Sequence, residues 1–193
     1  MKTLFKQILV STLMLGTVTS YANLKLNEAT FYPKELHFDN VKKGHHFSIK
    51  NNSGKTIYTE IVNKAGDYTT NYDLASLTDG LYTVELNKDF EINIKTFAVT
   101  SGMLTFIKNT DHTVYKPSFR TEDNKLFISK LNLNEKGPLS IKVYFDNDLI
   151  HSESTNNGII FSRVYALNED VSGYYAIVLK TTTGRTYKKS FKL

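Results

Sequence analysis

After residue 23, apolar and polar residues alternate along short runs that are separated by turn-forming residues. Phe47 and Ile49 alternate with Ser48 and Lys50, and Tyr82, Val84 and Leu86 alternate with Thr83, Glu85 and Asn87. A period of two sends neighbouring side chains to opposite faces of an extended chain, so each run predicts a strand with one buried face. Further runs predict strands over 57–62, 68–74 and 92–99. Asn51-Asn52-Ser53-Gly54 and Gly66-Asp67 supply the turns between them. No segment beyond Asn23 carries a helical period over ten residues. Short strands at this spacing predict an all-β protein built as a sandwich or barrel.

The pattern occurs twice. Gly44 and Gly137, Tyr72 and Tyr165, Leu74 and Leu167, Gly80 and Gly173, Tyr82 and Tyr175, and Leu86 and Leu179 all stand 93 positions apart. Ser48-Ile49-Lys50 recurs as Ser140-Ile141-Lys142, which implies one residue fewer after the second glycine, and Phe97 recurs as Phe191. A constant offset across a strand pattern indicates an internal duplication. The expected architecture is two tandem immunoglobulin-like antiparallel β-sandwiches, over 23–100 and 101–193, with the junction near Thr100 to Gly102. Gly80 and Gly173 stand where the chain turns into a strand and are expected to take a positive φ. Tyr82 and Tyr175 then open the inward face. At the corner of such a sandwich a tyrosine buries its ring and donates its hydroxyl to nearby backbone, so a structural role is expected for both.

Asn147-Asp148-Leu149-Ile150, followed by Leu167, Gly173, Tyr175, Ile177, Leu179, Gly184-Arg185, Lys189 and Phe191, resembles the type A C-terminal sorting domain of type IX secretion cargo. A similar run in the first half comprises Gly54-Lys55-Thr56-Ile57, Leu74, Leu77, Gly80, Tyr82, Val84 and Leu86. The resemblance implies an exported immunoglobulin-like sandwich of the kind found in Bacteroidota. The Pro-Asn-Pro opening of those domains is absent, and Asp170 stands where the first copy has Leu77.

The N-terminus changes the picture of compartment. Lys2 and Lys6 precede an apolar run from Ile8 to Val18, and Ser20-Tyr21-Ala22 places small residues where a signal peptidase reads them. Residues 1–22 are therefore expected to be a signal peptide cleaved after Ala22. The apolar run is about half the roughly 20 residues that a membrane-spanning helix needs, so the mature chain is expected to lack a span. With no cysteine in the sequence, neither an N-terminal lipid anchor nor a disulfide framework is available, and packing alone must hold the fold. The expected location is periplasmic, cell-surface or extracellular.

Composition excludes more than it suggests. Removing Lys2 and Lys6 lowers the formal charge from +5 to +3, too small and too scattered an excess for nucleic acid. Arg185, Lys188, Lys189 and Lys192 form the densest basic group and read as a solvated strand face. His45 and His46 are adjacent, so in a strand they point apart; even with His37 across a ladder they supply fewer than the three or four ligands of a zinc site. Asp146-Asn147-Asp148 and Glu169-Asp170 read as turns rather than calcium ligands or an acid/base pair. No cysteine nucleophile, nucleophile elbow or phosphate-binding glycine loop occurs. No catalytic residue, metal or cofactor is expected.

Tyr144 and Tyr174 fall on the outward register of their strands and are the candidate surface contacts, because exposed aromatic rings stack on sugars or anchor proteins. The expected function is that of an exported, non-enzymatic binding or structural protein with a protein or surface polymer as partner, in a cell-envelope or secretion-related assembly. An alternative is a periplasmic two-domain chaperone, with Ile92 to Ile107 as its long alternating strand. A small hydrolase built on His112 or His151 ranks behind both.

Overall fold

The structure is a computed structural model that describes residues 36–156 and 158–193; the expected leader and the cleavage point after Ala22 lie outside them. Fifteen strands account for most of these residues: β1 (His37–Val41), β2 (His46–Asn51), β3 (Thr56–Ile61), β4 (Gly66–Thr69), β5 (Gly80–Asn87), β6 (Glu91–Thr100), β7 (Met103–Phe106), β8 (His112–Tyr115), β9 (Ser118–Glu122), β10 (Lys125–Leu131), β11 (Leu139–Phe145), β12 (Asp148–Thr155), β13 (Ile160–Ala166), β14 (Tyr174–Lys180) and β15 (Thr186–Lys192). The protein is all-β, as the alternation predicts. The run 68–74 is strand only as far as Thr69. It then bends, and Leu74–Ser76 form a single 3-10 turn in which the Asp73 carboxylate accepts from Ala75 N.

Every strand pair is antiparallel. In the first copy β1 pairs β4, and the larger sheet runs β3-β2-β5-β6-β7 with β8 also on β6. In the second copy β13-β10-β9 form one sheet and β12-β11-β14-β15 the other. The order β3-β2-β5-β6 thus recurs as β12-β11-β14-β15, and β1-β4 recurs as β10-β13. The residues 93 positions apart mark a topological repeat.

Register corrects one detail of the repeat. Phe47 opposes Leu86 and Ile49 opposes Val84, while Ile141 opposes Leu179 and Val143 opposes Ile177. Phe47 and Ile49 are therefore equivalent to Ile141 and Val143, and the second copy holds one residue more after its glycine, not one fewer. A two-residue slide keeps every side chain on its face, which is why alternation alone does not detect it.

Each copy closes its own core between two sheets. Phe47, Ile49, Val84, Leu86 and Phe97 of the first large sheet meet Leu36, Phe38, Val41 and Tyr68. Ile141, Val143, Ile177 and Leu179 of the second meet Leu126, Ile128 and Phe161. Each such side chain contributes about 1.5–3 kcal/mol on burial, and in a chain without disulfides these clusters carry the stability. A third cluster, Ile92, Ile94 and Val114, lies where β8 joins the outer side of β6. Thr100 to Gly102, near the expected junction, form the turn between β6 and β7, both strands of the first sheet.

Candidate functional site

The corner residues are placed as follows. Tyr82 is buried and donates its hydroxyl to Thr78 O at 2.7 Å, and its ring stacks on Phe97 at 5.4 Å between centroids. Tyr175 is buried and stacks on Phe191 at 5.6 Å, without a corresponding hydroxyl bond among the described residues. Neither Gly80 nor Gly173 has the positive φ expected of it; that conformation belongs to Gly44 and Gly137, which precede β2 and β11. Gly173 is required by space instead: a Cβ there would collide with the Phe145 ring and lie 2.9 Å from Asp146 Oδ2. At Gly80 the nearest atom would be Tyr82 Cε2 at 3.7 Å, an ordinary contact.

Tyr144 and Tyr174 do share one sheet face. Tyr144 opposes Ala176, two positions along β14 from Tyr174. Tyr174 is 63% exposed, with the Lys192 ammonium 5.7 Å from its ring centroid, while Tyr144 is half-buried. The acidic clusters are turns: Asp146 and Asn147 both take positive φ between β11 and β12, and Asp146 Oδ1 accepts from Tyr174 N at 2.8 Å. His112 bonds Thr110 O through Nδ1, and His151 packs on Tyr165. β1 and β2 belong to different sheets, so His37 does not face His46 across a ladder. The acidic groups nearest His37 are Asp39 and Asp67, and one ligand atom from each of the three lies within 4.8 Å of the others. All three are exposed, so water competes for every position that a divalent ion would take.

The most developed site lies where the two copies meet, and its residues are far apart in sequence. Glu85 and Lys50 project from the outer face of the first large sheet, opposite in register to Phe47 and Ile49. Arg185, at the turn into β15, reaches across to them. Its Nη2 lies 2.7 Å from Glu85 Oε1, and Lys50 Nζ lies 2.8 Å from Glu85 Oε2. Behind Arg185, at 3.7 Å from its Nε, stands Glu135, which also accepts from Lys130 at 2.6 Å and from Thr183 at 2.8 Å. The side chain of Lys130 is 0% exposed and that of Glu135 6%. Burial would raise the Glu85 carboxyl, but the hydrogen bonds from Arg185 and Lys50 outweigh it and hold the group below the usual carboxylate range. Burial would likewise lower Arg185, and its bonds to Glu85 reverse the sign.

Beside this chain of charges opens a cleft of about 1030 Å³. Phe90, Tyr115, Lys116, Phe119, Tyr187 and Lys188 are among its walls. Phe90 is 80% exposed. Burial holds the Lys116 ammonium below the usual lysine range and pushes Tyr187 up to about 12. The Tyr187 hydroxyl is buried with no hydrogen-bond partner among the described residues. An orphaned donor of that kind costs about 1–3 kcal/mol. The arrangement can hold an anionic or aromatic surface. The paired charges lock one another and are not free to shuttle protons.

Comparison with known proteins is informative over the first copy. Residues 19–100 match the secretion system C-terminal sorting domain. The match agrees with the resemblance drawn from Gly80, Tyr82, Val84 and Leu86, and it marks a secreted protein of the type IX kind. It ends at Thr100, before β7, while the same strand order continues in residues 125–192. No curated protein matches the chain. Among the described residues no helix is long and apolar enough to cross a membrane.

Sequence reasoning did not find the cleft. Glu85, Glu135 and Arg185 each look like a solvated strand or turn charge, and Glu85 and Arg185 are 100 positions apart. The one available signal was the density of basic residues from Arg185 onward, which also fits an exposed face.

Proposed function

We propose that the chain is an exported, non-enzymatic binding protein of an envelope or secretion-related assembly, and that its partner, a protein or a surface polymer, seats in the cleft between the two copies. The observation that carries the reading is the composition of that cleft. The acid on its wall, Asp89, pairs with Lys42, and the neighbouring Glu85 and Glu135 are consumed in ion pairs with Arg185, Lys50 and Lys130, whereas Lys116, Lys188 and the aromatic residues Phe90, Tyr115 and Phe119 line the recess. Aromatic and cationic groups around a recess are the kind that anchor partners, and the sorting-domain match supports a setting outside the cytoplasm.

A photo-crosslinking residue at Phe90 tests the proposal, with the same residue at Ile61 on β3, which is 55% exposed, as the control. Irradiated cells should give a discrete adduct from position 90 and none from position 61. Identical adduct patterns from both positions, or none from either, would discard the cleft as the binding site.

A further inference from the structure

The duplication supplies an internal template for what the cleft accepts. In the first copy the outer edge of β6 is occupied: β7 pairs Phe97–Thr100 and β8 pairs Glu91–Ile94. In the second copy the equivalent strand is β15, and among the described residues it ends its sheet with no strand beyond it.

The equivalence holds at the level of single hydrogen bonds. Phe97 opposes Tyr82 and Phe191 opposes Tyr175, so Glu91, Ile92, Asn93, Ile94 and Lys95 correspond to Arg185, Thr186, Tyr187, Lys188 and Lys189. Lys116 N donates to Phe90 O and Ile107 N to Thr96 O, both at 2.9 Å, so the even-numbered residues of β6 turn their backbone groups toward β8 and β7. On β15, Thr181 N donates to Arg185 O and Leu193 N to Gly173 O, so the odd-numbered residues face β14. Alternation in an antiparallel ladder then leaves the N–H and C=O groups of Thr186, Lys188, Ser190 and Lys192 pointing outward. All four residues are exposed.

The cleft runs along this edge. Five consecutive residues, Arg185 to Lys189, line it, whereas the face of a strand would contribute only alternate ones. Its position matches the slot that β8 fills in the first copy. The chemistry of the slot has changed, however. Glu91 and Lys95 cancel in β6, while the same stretch of β15 carries Arg185, which Glu85 pairs, and the two further cations Lys188 and Lys189; across the cleft stand Lys116 and the Asp89 carboxylate, which Lys42 pairs. Ile92 and Ile94, which pack on Val114, are replaced by Thr186 and Lys188.

We infer that the cleft accepts an extended acidic peptide segment, which adds to the second copy as an antiparallel strand on β15, much as β8 adds to β6. The inference rests on the proposed use of the cleft and names the partner's chemistry. Main-chain hydrogen bonds to Lys188 and Ser190 supply affinity, and carboxylates opposite Lys188 and Lys189 supply selectivity. An edge carrying lysines is also a common device against unwanted pairing, so the test must separate recruitment from repulsion.

The probes are three nine-residue peptides: alternating Glu and Val, alternating Lys and Val, and the Glu–Val peptide with proline at alternate positions. Binding is followed by fluorescence anisotropy at two salt concentrations and by amide hydrogen exchange on the whole chain. The Glu–Val peptide should bind more weakly at high salt and slow exchange at Lys188 and Ser190. The Lys–Val and proline peptides should bind at least tenfold more weakly. The double substitution K188E/K189E should cost the Glu–Val peptide at least tenfold, and K55E, on the turn before β3, should cost it little. Equal binding of the Lys–Val peptide, or binding without protection on β15, overturns the strand addition. Self-association of the chain that protects the same amides in the absence of peptide makes a second copy the occupant and overturns the acidic partner. A failed peptide test alongside a discrete adduct from position 90 removes only the strand addition. Failure of both removes the cleft reading as well.

Discussion

Gly173 and Gly80 stand 93 positions apart at equivalent corners, and they differ in what a methyl group would meet. The Phe145 ring fills the space beside Gly173, so Gly173→Ala must displace an aromatic side chain that packs on Tyr175 at 4.9 Å. Such overpacking costs about 1–3 kcal/mol. Gly80→Ala makes an ordinary contact in an ordinary backbone conformation, and loss of freedom in the unfolded chain makes it neutral or stabilising by about 0.4–1 kcal/mol. Urea denaturation of the two variants should therefore move the midpoint in opposite directions, or leave only G80A unmoved. Equal destabilisation would show that the Phe145 contact is not the constraint. The aligned tyrosines differ too: only Tyr82 places its hydroxyl on a backbone carbonyl, so equivalent positions in a duplicated chain need not share a bonding role.

Among the elements, the turn into β15 binds the second copy to the outer face of β2 and β5 through Arg185 and Glu85. An unfolded glutamate titrates near about 4.3, and Glu85 is held lower in the fold. As pH falls through that interval the unfolded chain takes up more protons than the native one. The stability that Glu85 provides is thus complete above about pH 5 and fades as pH drops toward the native value. Glu85→Gln should lower the denaturation midpoint at pH 6, and the gap to wild type should narrow as pH falls below the unfolded value; a gap of constant size would refute the assignment. The strands around this contact were legible from alternation, because Phe47, Ile49, Val84 and Leu86 mark the buried face directly. The cleft was not, because alternation states which side of a strand a charge occupies and not what lies opposite. Asp39 and Asp67 converge on His37 for the same reason unseen: a register shift between Phe38 and Val41 sets their approach, and no periodicity encodes it.

At the scale of the molecule, among the described residues two core clusters sit in sheets that exchange no strand, since the strands up to β8 and those from β9 onward form separate sheets. Cooperativity between them must pass through side chains such as Arg185. Calorimetry should accordingly give a van't Hoff enthalpy below the calorimetric enthalpy, and Arg185→Met should separate the two transitions further. A single transition with equal enthalpies in both proteins would show tighter coupling than the ion pairs can supply.

The order β3-β2-β5-β6 has a kinetic consequence. β2 meets β5 only after the chain has closed a loop that carries β3, β4 and a 3-10 turn, and Phe47 finds Leu86 across that whole stretch. β11 must find β14 over a comparable span. Pairings this distant defer their energetic return until late in the search, so sheets of this kind assemble in milliseconds to seconds rather than microseconds. For a polypeptide destined to leave the cytoplasm, that delay is useful: the thread remains pliable while it crosses, and the architecture appears on arrival.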